Sequence, residues 1–137
     1  CGNNQYHDYK KFNSSSIIVK PFIEKMNYAY MASDYIISRS GASIISELCI
    51  VGKPVIFIPS PNVAEDHQTK NAMSLADLSS AELVIEKDLN TKFFKIFEKI
   101  HFDNIYSKKL SKSIKNLAKP DASKIIVNQI LKSIDYA

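Results

Sequence analysis

Short apolar runs alternate with amphipathic segments along the chain up to residue 87. Continuous runs rich in Ile, Val and Phe occur around residues 17–23, 35–38 and 55–59, and a weaker run occurs at 82–86. Because these runs are continuous rather than alternating, they predict strands buried on both faces, as in a parallel sheet. Helical spacing of apolar positions separates them. The pattern therefore predicts an α/β fold with a doubly wound parallel sheet.

Helical patterns lie between and after the predicted strands. Between the strands they cover residues 24–33, 43–52 and 65–79, and Gly52 closes the second. Beyond Lys87 the chain is amphipathic helix throughout, at residues 90–100, 104–118 and 121–134, and Pro120 is expected in the first turn of the last helix. No internal repeat or linker divides the chain, so the sequence predicts one domain.

Composition narrows the class of protein. With 137 residues, 45% of them hydrophobic, the chain can bury a core. The net charge of +4 comes from lysines scattered over the second half, which favours a solvated surface over a nucleic-acid face and leaves weak attraction to anionic lipids open. Two cysteines imply no disulfide framework and fit a reducing cytoplasm. The longest apolar stretch, "PVIFIP", is too short to span a bilayer.

The amino-terminal stretch predicts a piece of a longer protein. The chain opens on Cys1 rather than Met, and "CGNNQYHDYKKF" resembles the tail of an earlier element. We therefore expect a partial domain.

The stretch "SRSGASIISE" combines a glycine at a strand end with a carboxylate six residues later. The ligand crevice of an open α/β sheet lies beyond the carboxyl ends of the strands. Gly41 would allow a sharp turn and a close backbone approach, and the N–H groups of Ala42, Ser43 and Ile44 would face an anion such as a diphosphate. Glu47 would accept hydrogen bonds from a vicinal diol such as ribose. Ordinary turn chemistry and a dipole-complementing Glu remain the alternative, and neither G-x-G-x-x-G nor a P-loop is present.

A second polar cluster occupies residues 59–72, where a proline-rich loop precedes a polar helix start. Gln68 and Asn71 carry both donors and acceptors, as needed to bind sugar hydroxyls. Asp66 and His67 could form an acid/base pair, but adjacent helical residues point in different directions. A capping Asp and an exposed His are therefore favoured, and the cluster has too few ligands for a metal.

A third cluster is "KPFIEKM", in which Pro21 fixes the chain at the end of a predicted strand. Ile23 would keep its N–H and C=O free, so its main chain could pair with the edge of a base. The alternative is that Phe22 and Ile23 are core residues.

Together these blocks closely resemble the carboxyl-terminal half of the MurG family. The blocks "RSGAS..SE" and "DHQT.NA" carry the resemblance, which runs from about Gly2 to the last helix. Members are peripheral glycosyltransferases that transfer N-acetylglucosamine from UDP-N-acetylglucosamine to undecaprenyl-pyrophosphoryl-muramoyl-pentapeptide, converting lipid I to lipid II in peptidoglycan synthesis. The resemblance implies a Rossmann-like parallel sheet with flanking helices, residues 1–137 being an incomplete UDP-sugar-binding domain of a GT-B fold.

The resemblance also implies roles for individual residues. Ile23 would hold the uracil edge by its backbone. Gln68, together with His67, would contact the hexosamine hydroxyls, and the alignment of this pair with the family is ambiguous by one residue. The diphosphate and ribose would be wrapped by one segment, with Glu47 on the ribose: Gly41, Ala42, Ser43, Ile44, Ile45, Ser46 and Glu47. Arg39 and Asn71 would brace the loops. No catalytic residue, metal or cofactor is expected in this chain.

Departures from the family pattern limit what the chain is expected to do. Ile44 stands where a threonine is usual, so a hydroxyl contact to phosphate is lost while backbone contacts persist. The acceptor domain with its glycine-rich loops is missing, as are the first strand and a glycine-rich loop of the donor domain. We therefore expect the chain alone to be inactive and the general base for an inverting transfer to come from the missing domain.

The resemblance further implies partners and a location, and two other functions stay open. It implies a lipid I acceptor, the cytoplasmic membrane surface and no nucleic acid, for a protein peripheral on the inner face of the bacterial membrane. The alternatives are another GT-B UDP-sugar enzyme, such as a 2-epimerase, and a non-catalytic nucleotide-binding domain.

Overall fold

The computed structural model describes residues 1–61 and 66–135, the side chain of Asp135 excepted. Its contacts divide the chain into two compact units, Cys1–Ser33 and Asp34–Ala137. Each unit is described by itself, and the single domain expected from the sequence stays a prediction.

The first unit is helical and contains no strand. It comprises α1 (Asn3–Tyr9), a 3-10 helix (Lys10–Phe12) and α2 (Met26–Ala32). The strand predicted at 17–23 is wrong, because local side chains take the backbone groups that a strand would use. Asn13 Oδ1 accepts the Val19 N–H at 2.7 Å, and Ser14 Oγ accepts the Ile17 N–H at 3.1 Å.

The second unit holds a parallel sheet of three strands in the order β1 (Ile36–Ser38), β2 (Val55–Phe57) and β3 (Glu82–Leu83). Ile37 pairs with Ile56, and Phe57 pairs with Leu83. This confirms the predicted α/β class. Burial on both faces holds for β2, which is central and buried throughout. It is wrong for β1, an edge strand whose Ile37 is 49% exposed.

Helices follow each strand of the second unit as the sequence predicts. They are α3 (Ala42–Val51), α4 (His67–Asp77), a 3-10 helix (Glu86–Asp88), α5 (Leu89–Phe102), α6 (Asn104–Asn116) and α7 (Ala122–Asp135). Gly52 ends α3 with φ 68°, as predicted, and the Lys115 side chain packs where a Cβ would be. Pro120 does not lie in the first turn of α7, because a turn from Lys119 to Ala122 precedes that helix.

The core lies between the sheet and the α5–α6 pair. Ile56, Val84, Ile100 and Leu110 are each 1% exposed and form one buried cluster. Packing of this kind fixes β2 and β3 against two helices and leaves the carboxyl ends of the strands for the connecting loops. Among the helices in the described residues, none is long and apolar enough to cross a bilayer.

Candidate functional site at the carboxyl ends of the strands

Gly41 lies where β1 ends and α3 begins, as the sequence predicts. Its backbone is extended, with φ −66° and ψ 148°, so the turn itself does not require glycine. A Cβ at this position would meet only Ile44 Cγ2, at 3.9 Å. What Gly41 provides is therefore open space directly in front of the helix, which suits the close approach of a ligand.

The first turn of α3 presents backbone donors with no internal acceptor. The N–H groups of Ala42, Ser43 and Ile44 precede the first intrahelical bond, in which the Ile45 N–H donates to Gly41 O at 3.0 Å. Gly41 offers no side-chain cap, and no acidic residue lies in the first turn. The partial positive charge of this helix start is therefore not offset by a carboxylate of that turn.

The side chains along α3 separate into two faces. Leu48 is fully buried, and Ile44 and Ile45 are partly buried beside it. Ser43 and Glu47 are exposed, one turn apart, as their spacing predicts, and their role toward a ligand stays a prediction. Ser46 Oγ donates back to Ala42 O at 3.1 Å, so its hydroxyl is engaged within the helix.

Ser40, which the sequence analysis passed over, connects α3 to α4. It is 0% exposed. Its Oγ donates to Gln68 O at 2.8 Å, and Asn71 Nδ2 donates to Ser40 O at 3.1 Å. Asn71 therefore braces the loops, as the resemblance implied.

Gln68 also contacts the loop after β2. The Ser60 N–H donates to Gln68 Oε1 at 3.0 Å, so this oxygen is committed to the protein. The amide nitrogen is the part of Gln68 that could bind a sugar hydroxyl.

The start of α4 differs from its prediction at Asp66. Asp66 occupies the N-cap position, but its backbone is left-handed, with φ 56°, and its side chain makes no capping bond. The predicted capping role is therefore wrong. His67 is exposed, as favoured. Asn62 and Glu65, which the sequence analysis placed in the same cluster, lie outside the described residues.

Arg39 joins the ends of all three strands. From the end of β1, its Nη1 donates to Ile58 O at 3.0 Å and to Pro59 O at 2.9 Å, just beyond β2. Its Nη2 pairs with Glu86 Oε1 at 2.6 Å, in the segment after β3. The sequence analysis assigned Arg39 a bracing role but missed Glu86, since nothing in the local pattern indicates so distant a partner.

Ile23 lies in the first unit, outside any strand. Within the described residues neither its N–H nor its C=O makes a hydrogen bond. Its side chain is 41% exposed, so the alternative of a core residue is wrong in this unit. It lines an open groove of about 920 Å³ that also has Phe22 and Tyr28 in its wall.

Two further observations concern the reactivity of Cys49 and the binding of metal ions. Burial raises the pKa of the Cys49 thiol above its ordinary value, which keeps it protonated and unreactive. Within residues 1–61 and 66–135, no group of three or more His, Cys, Asp or Glu side chains could hold a metal ion.

Comparisons with known proteins identify the family of this chain. Residues 1–128 match the family model of the glycosyltransferase family 28 C-terminal domain. A relative from Flavobacterium psychrophilum is 49% identical over 136 residues, which are 98% of this chain and 37% of the relative. A relative from Parabacteroides distasonis is 44% identical over 126 residues, 92% of this chain and 34% of the relative. Both are named UDP-N-acetylglucosamine--N-acetylmuramyl-(pentapeptide) pyrophosphoryl-undecaprenol N-acetylglucosamine transferase.

A solved structure has a similar fold. The crystal structure of Acinetobacter baumannii MurG superposes with a TM-score of 0.82 at 28% identity, covering 96% of this chain and 40% of that one. The chain therefore spans little more than a third of the curated relatives it matches.

Proposed function

The chain belongs to the family of glycosyltransferase family 28 C-terminal domains, and from that membership we propose that it binds UDP-N-acetylglucosamine as the donor part of a larger transferase. The proposed reaction moves N-acetylglucosamine onto an undecaprenyl-pyrophosphoryl-muramoyl-pentapeptide acceptor, as the names of its relatives describe for them.

The observation that carries this proposal is the open start of α3. Backbone donors at the end of a parallel strand, with open space at Gly41 and no acid in the first turn, suit a diphosphate. A nucleoside diphosphate sugar supplies that group. The backbone of Ala42, Ser43 and Ile44 would contact the phosphates, and the substitution of Ile44 for a threonine removes only a side-chain contact.

Other residues would bind the remaining groups of the donor. Glu47 would accept hydrogen bonds from the ribose hydroxyls, with Ile45 and Ser46 forming the helical turn that carries it. The Gln68 amide nitrogen, with His67 beside it, would contact hexosamine hydroxyls. Ile23 would pair with the uracil edge through its free N–H and C=O.

The open helix start would also contribute to catalysis. As the acceptor hydroxyl attacks the anomeric carbon, negative charge develops on the departing UDP. Donors that are already oriented toward that charge stabilise the transition state more than the ground state. The general base would come from outside these residues, so the chain alone would bind the donor without transferring sugar.

The acceptor implies where the protein acts. An undecaprenyl chain remains in a bilayer, while a UDP-sugar is cytoplasmic, so the two substrates meet at the inner face of the membrane. We place the protein there as a peripheral enzyme that binds the lipid-linked acceptor through its other domain.

Calorimetric titration of the full-length protein tests the donor assignment. UDP-N-acetylglucosamine and UDP should bind, while ADP should bind at least about tenfold more weakly, because each tenfold in affinity corresponds to about 1.4 kcal/mol. Equal affinity for ADP would contradict the assignment.

A product assay separates the competing functions. With lipid I present, the proposal predicts release of UDP together with glucosaminylated lipid. Conversion of the donor to its 2-epimer without acceptor would instead identify a UDP-sugar epimerase. Tight UDP binding with neither product would identify a non-catalytic domain.

A further inference from the structure

We propose that Arg39 is a positioning residue for the donor site, one that fixes the strand ends around the nucleotide without itself binding phosphate. The inference rests on the proposed function. Its basis is that the guanidinium group of Arg39, which follows β1, contacts the segments that follow β2 and β3, at the edge where α3 begins.

The two carbonyl contacts define the geometry. Ile58 O and Pro59 O belong to the loop that leaves β2, and both accept from the same nitrogen, Nη1. Ser60, the next residue, donates to Gln68 Oε1. Any shift of this loop therefore moves Gln68, a proposed sugar contact, together with the start of α4.

The pairing of Arg39 with Glu86 argues against a phosphate-binding role. Glu86 Oε1 lies 2.6 Å from Nη2, which offsets the positive charge and engages one donor nitrogen of the planar fork. The pair is solvent-exposed, at 52% and 37% of the two side chains. An exposed pair adds little to stability, so its principal effect is to hold an orientation.

A phosphate-binding role and a positioning role for Arg39 predict opposite changes in UDP affinity when the Glu86 carboxylate is removed. If Arg39 bound phosphate directly, removing Glu86 would release its charge toward the ligand and tighten binding. If Arg39 positions the loops, removing Glu86 loosens its orientation and weakens binding.

The experiment is a UDP titration of four variants of the full-length protein, with circular dichroism and melting temperature measured for each. Arg39→Ala should weaken UDP binding by about tenfold, because loops that Arg39 no longer holds must be ordered when the nucleotide binds. Glu86→Ala should weaken it by about two- to threefold, a smaller change because the carbonyl contacts persist. Arg39→Lys should not restore binding, because an ammonium is a point charge that cannot reproduce the planar fork.

Lys92→Ala is the matched control. The Lys92–Asp88 pair has the same N to O separation of 2.6 Å and a similarly exposed cation, but it joins α5 to the 3-10 helix that precedes it. Lys92→Ala should leave the UDP dissociation constant unchanged.

The outcomes distinguish this inference from the proposed function. Failure of the wild-type protein to bind UDP would overturn the proposed function. Wild-type binding together with any one of three results would overturn the role of Arg39 alone: unchanged affinity in Arg39→Ala, unchanged or tighter binding in Glu86→Ala, or full rescue by Arg39→Lys.

Discussion

Helices α3 and α6 begin in opposite ways, although they pack against each other in the same unit. At the start of α6, Asp103 accepts the Tyr106 N–H at 2.9 Å, and Tyr106 in turn donates its hydroxyl to Glu82 on β3. At the start of α3, Gly41 supplies no side-chain acceptor. The start of α6 therefore has a side-chain acceptor within the protein, whereas the start of α3 has none, and it is there that we propose a ligand.

The two helices do not differ in how their apolar faces are packed. Leu48 of α3 is 0% exposed, and Leu110 and Ile114 of α6 are 1% and 0% exposed. The difference between the two helices therefore lies at their amino-terminal ends, not along the buried faces.

The largest expected effect comes from the buried face of α6. Ile114→Ala should lower the free energy of unfolding by about 2–5 kcal/mol, since it removes buried methyl groups and leaves a cavity. UDP affinity of the folded protein should not change, because α6 would not contact the ligand. Urea denaturation and UDP titration of the full-length protein check both halves, and a large loss of affinity in the folded variant would contradict the division of roles.

The next largest effect is expected when the N-cap of α6, Asp103, is removed. Asp103→Ala should cost about 1 kcal/mol of stability, because the Tyr106 N–H loses its acceptor. Asp103→Asn keeps a side-chain oxygen and should retain most of that stability. If both variants melt at the wild-type temperature, the bond at Asp103 does not stabilise the helix.

At the open start of α3, a substitution should raise stability and lower UDP affinity. Gly41→Ala meets no steric obstacle, since a Cβ has only Ile44 Cγ2 at 3.9 Å, and its φ of −66° suits alanine. The variant should therefore be more stable by about 0.4–1 kcal/mol, through reduced freedom of the unfolded chain. Its UDP affinity should fall because a methyl group occupies the approach to the backbone donors. Gly41→Ala with unchanged UDP affinity would argue against a phosphate at this position.

A smaller effect is expected at alkaline pH. Burial, followed by the hydrogen bond to Glu82, raises the pKa of Tyr106 to about 12 from its ordinary value of 10.0. Protonated Tyr106 therefore stabilises the fold fully below pH 10, and that contribution is lost as the pH rises from 10 toward 12. Melting temperatures across this range should fall more steeply in the wild type than in Tyr106→Phe. Parallel slopes would show that Tyr106 does not contribute.

Local patterns were sufficient to predict part of this architecture. The apolar run of β2, the Gly52 helix end and the strand-to-helix junction at Gly41 each depend on a few neighbouring residues, and each is found where the sequence places it. The segment at 17–23 failed because its apolar residues indicate burial, while Asn13 and Ser14 decide its hydrogen bonding.

The site itself was only partly accessible to sequence reasoning. Residue types at a strand end indicated α3 and Gln68, and their roles toward a donor remain predictions. The Arg39–Glu86 pair and the Ser60 contact to Gln68 depend on how distant loops meet in the folded chain. No periodicity or local motif encodes such contacts.

The central claim, that the start of α3 is a nucleotide site, is tested most directly by comparing UDP with 2′,3′-dideoxy-UDP. The wild-type full-length protein should prefer UDP by roughly tenfold or more. Glu47→Ala should nearly abolish that preference, while Glu98→Ala, which changes an exposed glutamate on α5, should retain it. A folded Glu47→Ala variant that discriminates the two ligands as well as the wild type would contradict the account.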